Sequence, residues 1–422
     1  MRLFKREDYL KKIRGFYHDD GVIKVLTGVR QCGKSCLMQT IAGELEETGI
    51  REDHIVYLDL DRYGFRSVKT PGQLEALIEP ALKIGGMKHL FVDEVQNVEG
   101  FEEVANGFRA EGGFSIFITG SNSYLLFGEL ATKLTGRCVE FEMQTSSFKE
   151  YREMKRFRGQ VVDPNPVAEL DRYILEGGFP KALDYPKMAD KRAYVSSVIK
   201  EIFEKDIRRR VKVKNVSVFN RVRDYVINNF GATTSLTNIL SDLERQGVHI
   251  KRETLNRYLQ ILEDAKIVSR CTRFDMKSRK SLQGEQKYYL ADLSFYFALN
   301  TDNRINYAPV LENIVYNYAR SLGYEVSVGR IGKLECDFVM RSPEMECAYV
   351  QVAMTIMNDR KTEDREYRPL EQIRDNWPKF VITRSDPIRR RGGIVHENVT
   401  ELVGEGRTFG LVQRGAWTEA DC

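Results

Sequence analysis

Gly28-Val29-Arg30-Gln31-Cys32-Gly33-Lys34-Ser35 has the spacing G-x-x-x-x-G-K-[ST], which suits a loop that holds nucleotide phosphates. Glycines let successive backbone N–H groups turn inward on an anion, and a following helix N-terminus adds partial positive charge. Lys34 is placed to reach the outer phosphates, and the Ser35 hydroxyl to ligate Mg²⁺. The run from Gly28 to Cys36, with Val29, Arg30, Gln31 and Cys32 inside it, is the candidate phosphate-binding segment.

A second constellation follows at His89-Leu90-Phe91-Val92-Asp93-Glu94, an apolar strand ending in two acids. Alone, this is a buried strand with a solvated tip. After a phosphate loop it suits metal-assisted phosphoryl transfer, with Asp93 holding Mg²⁺ through water and Glu94 deprotonating the attacking water. Beyond the next apolar run, Gly120-Ser121-Asn122-Ser123 offers a polar side chain for the γ-phosphate or the water. Asn122 is the first choice and Ser121 the second; capping of a following helix is the plain alternative. Arg137, after Leu134-Thr135-Gly136, could stabilise transition-state charge in cis or across a subunit interface, or be a plain surface arginine.

The elements that must position these groups follow from periodicity. Strands are expected over residues 22–27, 55–60, 89–93, 114–119 and 138–143, with helices between most of them, the first over 34–47. Such alternation implies a parallel sheet covered by helices on both faces, with ligands at the carboxyl ends of the strands. The 422-residue chain is too long for one ordinary core. Its 65 Lys and Arg against 61 Asp and Glu give a net charge of only +4, which neither requires nor excludes nucleic acid. The seven scattered cysteines have no zinc-site spacing and read as free thiols of a reducing cytoplasm. No signal-peptide run and no stretch near ~20 apolar residues is present, so no membrane role is expected.

Together with Leu90-Phe91-Val92-Asp93-Glu94-Val95-Gln96, Thr119-Gly120-Ser121, Leu134-Thr135-Gly136-Arg137 and Ser147-Phe148-Lys149-Glu150-Tyr151, the loop resembles one family. It is the AAA-type ATPases of archaea and bacteria that carry a conserved C-terminal domain of obscure role. Glu176-Gly177-Gly178-Phe179-Pro180, Leu311-Glu312-Asn313-Ile314-Val315-Tyr316 and Glu335-Cys336-Asp337-Phe338-Val339 extend the likeness along nearly the whole chain. The resemblance implies Mg²⁺-dependent ATP binding and slow hydrolysis. No guanine-reading Asn-Lys-x-Asp is present, which favours ATP.

The remainder divides by pattern. Residues 1–145 read as the P-loop ATPase core, 146–215 as its helical extension, 216–298 as a winged helix-turn-helix and 305–405 as a restriction-endonuclease-like α/β domain. The middle segment shows three helices and then a charged hairpin. Lys251, Arg252, Thr254, Asn256 and Arg257 are candidates for the major groove, and Lys277, Arg279 and Lys280 for phosphate. The basic run Arg208-Arg209-Arg210-Val211-Lys212-Val213-Lys214 adds local charge. In the last segment Glu312 and Asp337 stand where active nucleases of that fold carry two metal-binding acids. Gln351 and Ala353 replace the third acid and the lysine, so no cutting and nothing in the lysine's place are expected. The expected fold class is therefore α/β: a parallel P-loop sheet, a winged helix and a degenerate nuclease-like core. ATP is the expected ligand, with double-stranded DNA or a protein as partner. The alternatives to an ATPase with turnover are an ATP-switched DNA-binding regulator and a protein-binding scaffold.

Overall fold

The computed structural model describes residues 3–120, 136–208, 215–301 and 304–410. Contacts divide the chain into two units. The first comprises Met1–Ser146, Phe179–Phe219 and Arg257–Ile267; the second comprises Ser147–Gly178, Asn220–Asn256 and Val268–Cys422.

The first unit is built on α1 (Glu7–Ile13), β1 (Ile23–Gly28), α2 (Lys34–Glu47), β2 (Ile55–Asp59), α3 (Pro71–Ile78), β3 (Lys88–Asp93), α4 (Phe101–Glu111), β4 (Phe114–Thr119) and β5 (Cys138–Met143). All five strands run parallel, in the order β2-β3-β4-β1-β5. The expected alternation is therefore present, and the strand ends lie within a residue of those read from periodicity. β1, β3 and β4 are buried at every position, as continuous apolar runs must be when helices cover both faces. On one face Ile23, Val25, Leu90, Val92, Ile116 and Ile118 pack with Leu74 and Ile78 of α3 and Val104 and Phe108 of α4. On the other, register aligns Tyr57, Phe91 and Phe117 across three strands, with ring centroids 5.7 and 4.8 Å apart. Helix α3 starts where Thr70 and Gln73 form a capping box and Pro71 takes the first turn.

In the second unit α5 (Phe148–Phe157) and α6 (Pro166–Glu176) begin at side-chain caps, Ser147 with Glu150 and then Asn165. In the first, α7 (Met188–Glu201) continues into a π-helical turn, Ile202–Arg208. Three helices follow, α8 (Val216–Asn228), α9 (Leu236–Arg245) and α10 (Arg252–Asp264), and the division between units falls inside α8 and α10. Ser235 caps α9 by accepting from the Asn238 N–H.

The hairpin β6 (Val268–Asp275) and β7 (Lys280–Leu290) is followed by α11 (Ser294–Leu299), α12 (Tyr307–Ser321), β8 (Glu325–Ile331), β9 (Leu334–Arg341), β10 (Cys347–Val352) and α13 (Arg360–Glu371). β11 (Lys379–Thr383), β12 (Arg390–Arg391), β13 (Ile394–Asn398) and α14 (Val399–Glu405) complete the fold. These strands form one mixed sheet, β12-β13-β11-β10-β9-β8-β6-β7. The hairpin read from sequence as a separate wing thus shares a sheet with the C-terminal strands, through parallel pairing of β6 with β8. Sequence patterning separated the two because strand partners distant in sequence leave no local signal.

Candidate nucleotide site

The turn after β1 needs glycine on steric grounds. Gly28 has φ +135°, and a Cβ there would sit 2.2 Å from the Met143 carbonyl oxygen on neighbouring β5. Gly33 (φ +108°) precedes the first residue of α2, and Gln31 is also left-handed, at φ +66°. Val29 and Cys32 are buried, Arg30 is half-buried, and Gln31 and Cys36 are exposed. Lys34 is buried and its ammonium donates to the carbonyls of Gly28 at 2.9 Å and Val29 at 3.3 Å. Buried Arg6 braces the same loop, donating to the Cys32 carbonyl at 3.1 Å and to Gln144 O at 2.9 Å. Arg6 carries no motif, so only tertiary structure reveals this brace.

Asp93 ends β3 and Thr119 ends β4, the strand between β3 and β1. The loop, Asp93 and Thr119 therefore share the carboxyl edge of the sheet, where open α/β sheets bind ligands. Asp93 is buried, and the Ser35 and Thr119 hydroxyls both hydrogen-bond its carboxylate. Burial pushes the Asp93 carboxyl up despite these donors. Glu94 follows in a left-handed conformation, φ +56° and ψ +48°, a strained state for a residue with a side chain. Burial raises its carboxyl, against the downward pull of the Lys34 and Arg30 charges. Gln96 donates its amide to Glu94 Oε2, and the Glu94 N–H donates to Thr119 Oγ1 at 3.3 Å. Thr119 and Gln96, both within quoted sequence stretches but given no role, are thus the site residues that motif reading missed.

Asn122 and Ser121 lie outside the described residues. Arg137 immediately precedes β5, whose first residue Cys138 pairs with Ile23, whereas the phosphate loop leaves β1 beside Met143. In parallel strands that is the opposite edge of the sheet, roughly 20 Å away at about 3.3 Å per residue. Action of Arg137 on the phosphates in cis is therefore corrected: its motif neighbours suggested the site, but strand direction carries it away.

The donor set suits Mg²⁺, which keeps several waters and uses few protein ligands beside phosphate oxygens. A buried carboxylate with a serine hydroxyl hydrogen-bonded to it offers one anchor and one neutral ligand. Among the described residues no group of three His, Cys, Asp or Glu side chains is placed to hold a metal by itself.

The C-terminal candidates gather in the second unit. Asp337 accepts from the Val352 N–H at 2.8 Å, and its own N–H donates to Gln351 Oε1 at 3.3 Å. Gln351 in turn donates to Glu366 of α13 at 3.1 Å. Lys287 of β7 reaches Glu312 at 2.9 Å, from a strand that sequence spacing did not associate with these acids. Lys251, just before α10, and Arg252, Asn256 and Arg257 on it are exposed and Thr254 is half-buried; Lys277, Arg279 and Lys280 at the hairpin are exposed. Of the basic run, only the backbone of Arg208 is described. The six described cysteines are free thiols. No described helix is long and apolar enough to cross a membrane.

Comparison with known proteins agrees with this geometry. Residues 20–152 match the model of an AAA domain, and residues 167–306 match that of a domain of unknown function. An uncharacterised protein of Haemophilus influenzae is 33% identical over 387 residues, covering 90% of this chain and 93% of its own. The chain belongs to that protein's family. A second relative, uncharacterised protein MJ1544 of Methanocaldococcus jannaschii, is 29% identical over 374 residues, 86% of this chain and 82% of its own. Among solved structures, the Walker-type ATPase PABY2304 of Pyrococcus abyssi covers 70% of this chain and 96% of its own, at 16% identity and a TM-score of 0.47. The AAA match makes the first sheet a nucleotide-binding, ATPase-type fold.

Proposed function

We propose that this protein binds MgATP at the carboxyl edge of the first sheet and hydrolyses it, using the nucleotide state to act on DNA. The observation that carries the reading is the convergence of Lys34, Ser35, Asp93, Glu94 and Thr119 at one edge, with Asp93 bonded to two hydroxyls. Lys34 exchanges its loop carbonyls for phosphate oxygens, and the loop N–H groups hold the remainder. Ser35 and, through water, Asp93 would hold Mg²⁺, which would supply positive charge to the phosphates. Glu94, raised by burial, takes the proton of the water that attacks the γ-phosphorus as the bond to ADP breaks. Lys34→Ala should abolish ATP binding, while Glu94→Gln should retain ATP without turnover. Parent-like hydrolysis by both variants would refute the assignment. Arg137, distant from the loop in its own chain, fits only the version in which it reaches a neighbouring subunit.

Exposed Lys251, Arg252 and Asn256 at the start of α10, with Lys277, Arg279 and Lys280 on the hairpin, support a winged-helix contact with duplex DNA. Nuclease cutting is not part of this function: Gln351 and Ala353 stand at two of the positions that metal chemistry would use.

A further inference from the structure

Lys287 points inward from β7 with only 5% of its surface exposed. A buried ammonium is costly unless its three donors find acceptors. Lys287 has carboxylates from two other elements around it. Nζ lies 2.9 Å from Glu312 Oε2 on α12, and 3.1 and 3.8 Å from Glu335 Oε1 and Asp337 Oδ1 on β9. Glu335 and Asp337 are two residues apart on one strand, so they share a face. Other donors of the chain also reach these carboxylates. Tyr289, also inward on β7, donates to Glu312 Oε2 at 2.8 Å, the Val352 N–H donates to Asp337 Oδ2 at 2.8 Å, and Arg273 donates to Glu335.

We infer that the Lys287 ammonium is a resident cation, standing at the point where Glu312, Glu335 and Asp337 converge and taking the place a divalent metal would have there. One ammonium stands within 4 Å of three carboxylates, hydrogen-bonded to Glu312 and ion-paired with Glu335 and Asp337. A hard cation would draw the same oxygens in to ~2.0–2.6 Å. The lysine comes from the hairpin and the acids from α12 and β9, so the cluster also ties the hairpin to the C-terminal strands. Glu335 also lines a surface cavity of about 630 Å³ with Arg273, Arg330 and Lys333. The inference is independent of the ATPase reading.

The test uses the full chain without nucleotide, in an Asp93→Asn background that removes the proposed nucleotide-site metal anchor. Mn²⁺ binding is followed by electron paramagnetic resonance, and the melting temperature with and without Mn²⁺. The lysine-containing protein should show no site that depends on Asp337. Lys287→Ala should gain one Mn²⁺ per chain, lost again on adding Asp337→Asn. Mn²⁺ should raise its melting temperature, but not that of Lys287→Met, whose apolar tip fills the space. If Lys287→Ala folds only with Mn²⁺, the inference also stands. It is overturned if that variant neither binds Mn²⁺ nor folds with it. It is equally overturned if the lysine-containing protein binds Mn²⁺ at a site abolished by Asp337→Asn, because the lysine would then accompany a metal.

Discussion

At the scale of the residue, Thr119 holds the acid pair in place. Its hydroxyl donates to Asp93 and accepts from the Glu94 N–H, so it fixes both the metal anchor and the base. A hydrogen bond to a charged group contributes about 1.5–3 kcal/mol, which corresponds to roughly 10- to 100-fold in rate if it acts in the transition state. Thr119→Val should therefore lower kcat by about that factor while ATP still binds, and Thr119→Ser should restore most of it; steady-state kinetics checks both. His89, also on β3, gives a second prediction. Burial holds its pKa down to about 4, with His18 and Lys24 adding to the effect. The unfolded chain takes up that proton near pH 6.5, so the neutral ring's contribution is complete above pH 6.5 and is lost as pH falls toward 4. That contribution is roughly 3 kcal/mol. The raised carboxyls of Asp93 and Glu94 act in the opposite sense, favouring folding at lower pH. The comparison is therefore with His89→Gln, whose melting temperature should fall less between pH 6.5 and 4.

At the scale of the element, β1 and its turn show what sequence can reveal. Two glycines and a lysine at fixed spacing identified the loop, and the reason is local: Gly28 occupies a backbone state that side chains rarely adopt. Gly28→Ala should cost about 3 kcal/mol and weaken nucleotide binding, because a methyl would strike the Met143 carbonyl. A shift in urea midpoint together with nucleotide titration measures this. The strands were equally legible, since buried parallel strands are continuous apolar runs. What a run does not reveal is its neighbours. The order β2-β3-β4-β1-β5 places Thr119 between the loop and Asp93, whereas in sequence it is 26 residues beyond Asp93. Strand direction likewise moves Arg137 to the wrong edge. Lys287 was invisible for the same reason, being 25 residues from Glu312 and on another element. The hairpin makes its own prediction. If its exposed cations contact phosphates, Lys277→Ala with Arg279→Ala should weaken duplex binding and reduce the salt slope by nearly 2. An unchanged slope would remove the hairpin from the interface.

At the scale of the whole molecule, the chain holds an AAA-type sheet and a mixed eight-stranded sheet with a buried acid cluster. The first part has the groups for phosphate chemistry; the second keeps the framework of an acid site with a lysine inside it. Their coupling follows only if the first sheet holds a nucleotide. The most direct test is titration of the purified protein with ATP in magnesium buffer, beside Lys34→Ala. The account predicts saturable binding by the parent and none by the variant. Equal binding by both, or binding by neither, would contradict it.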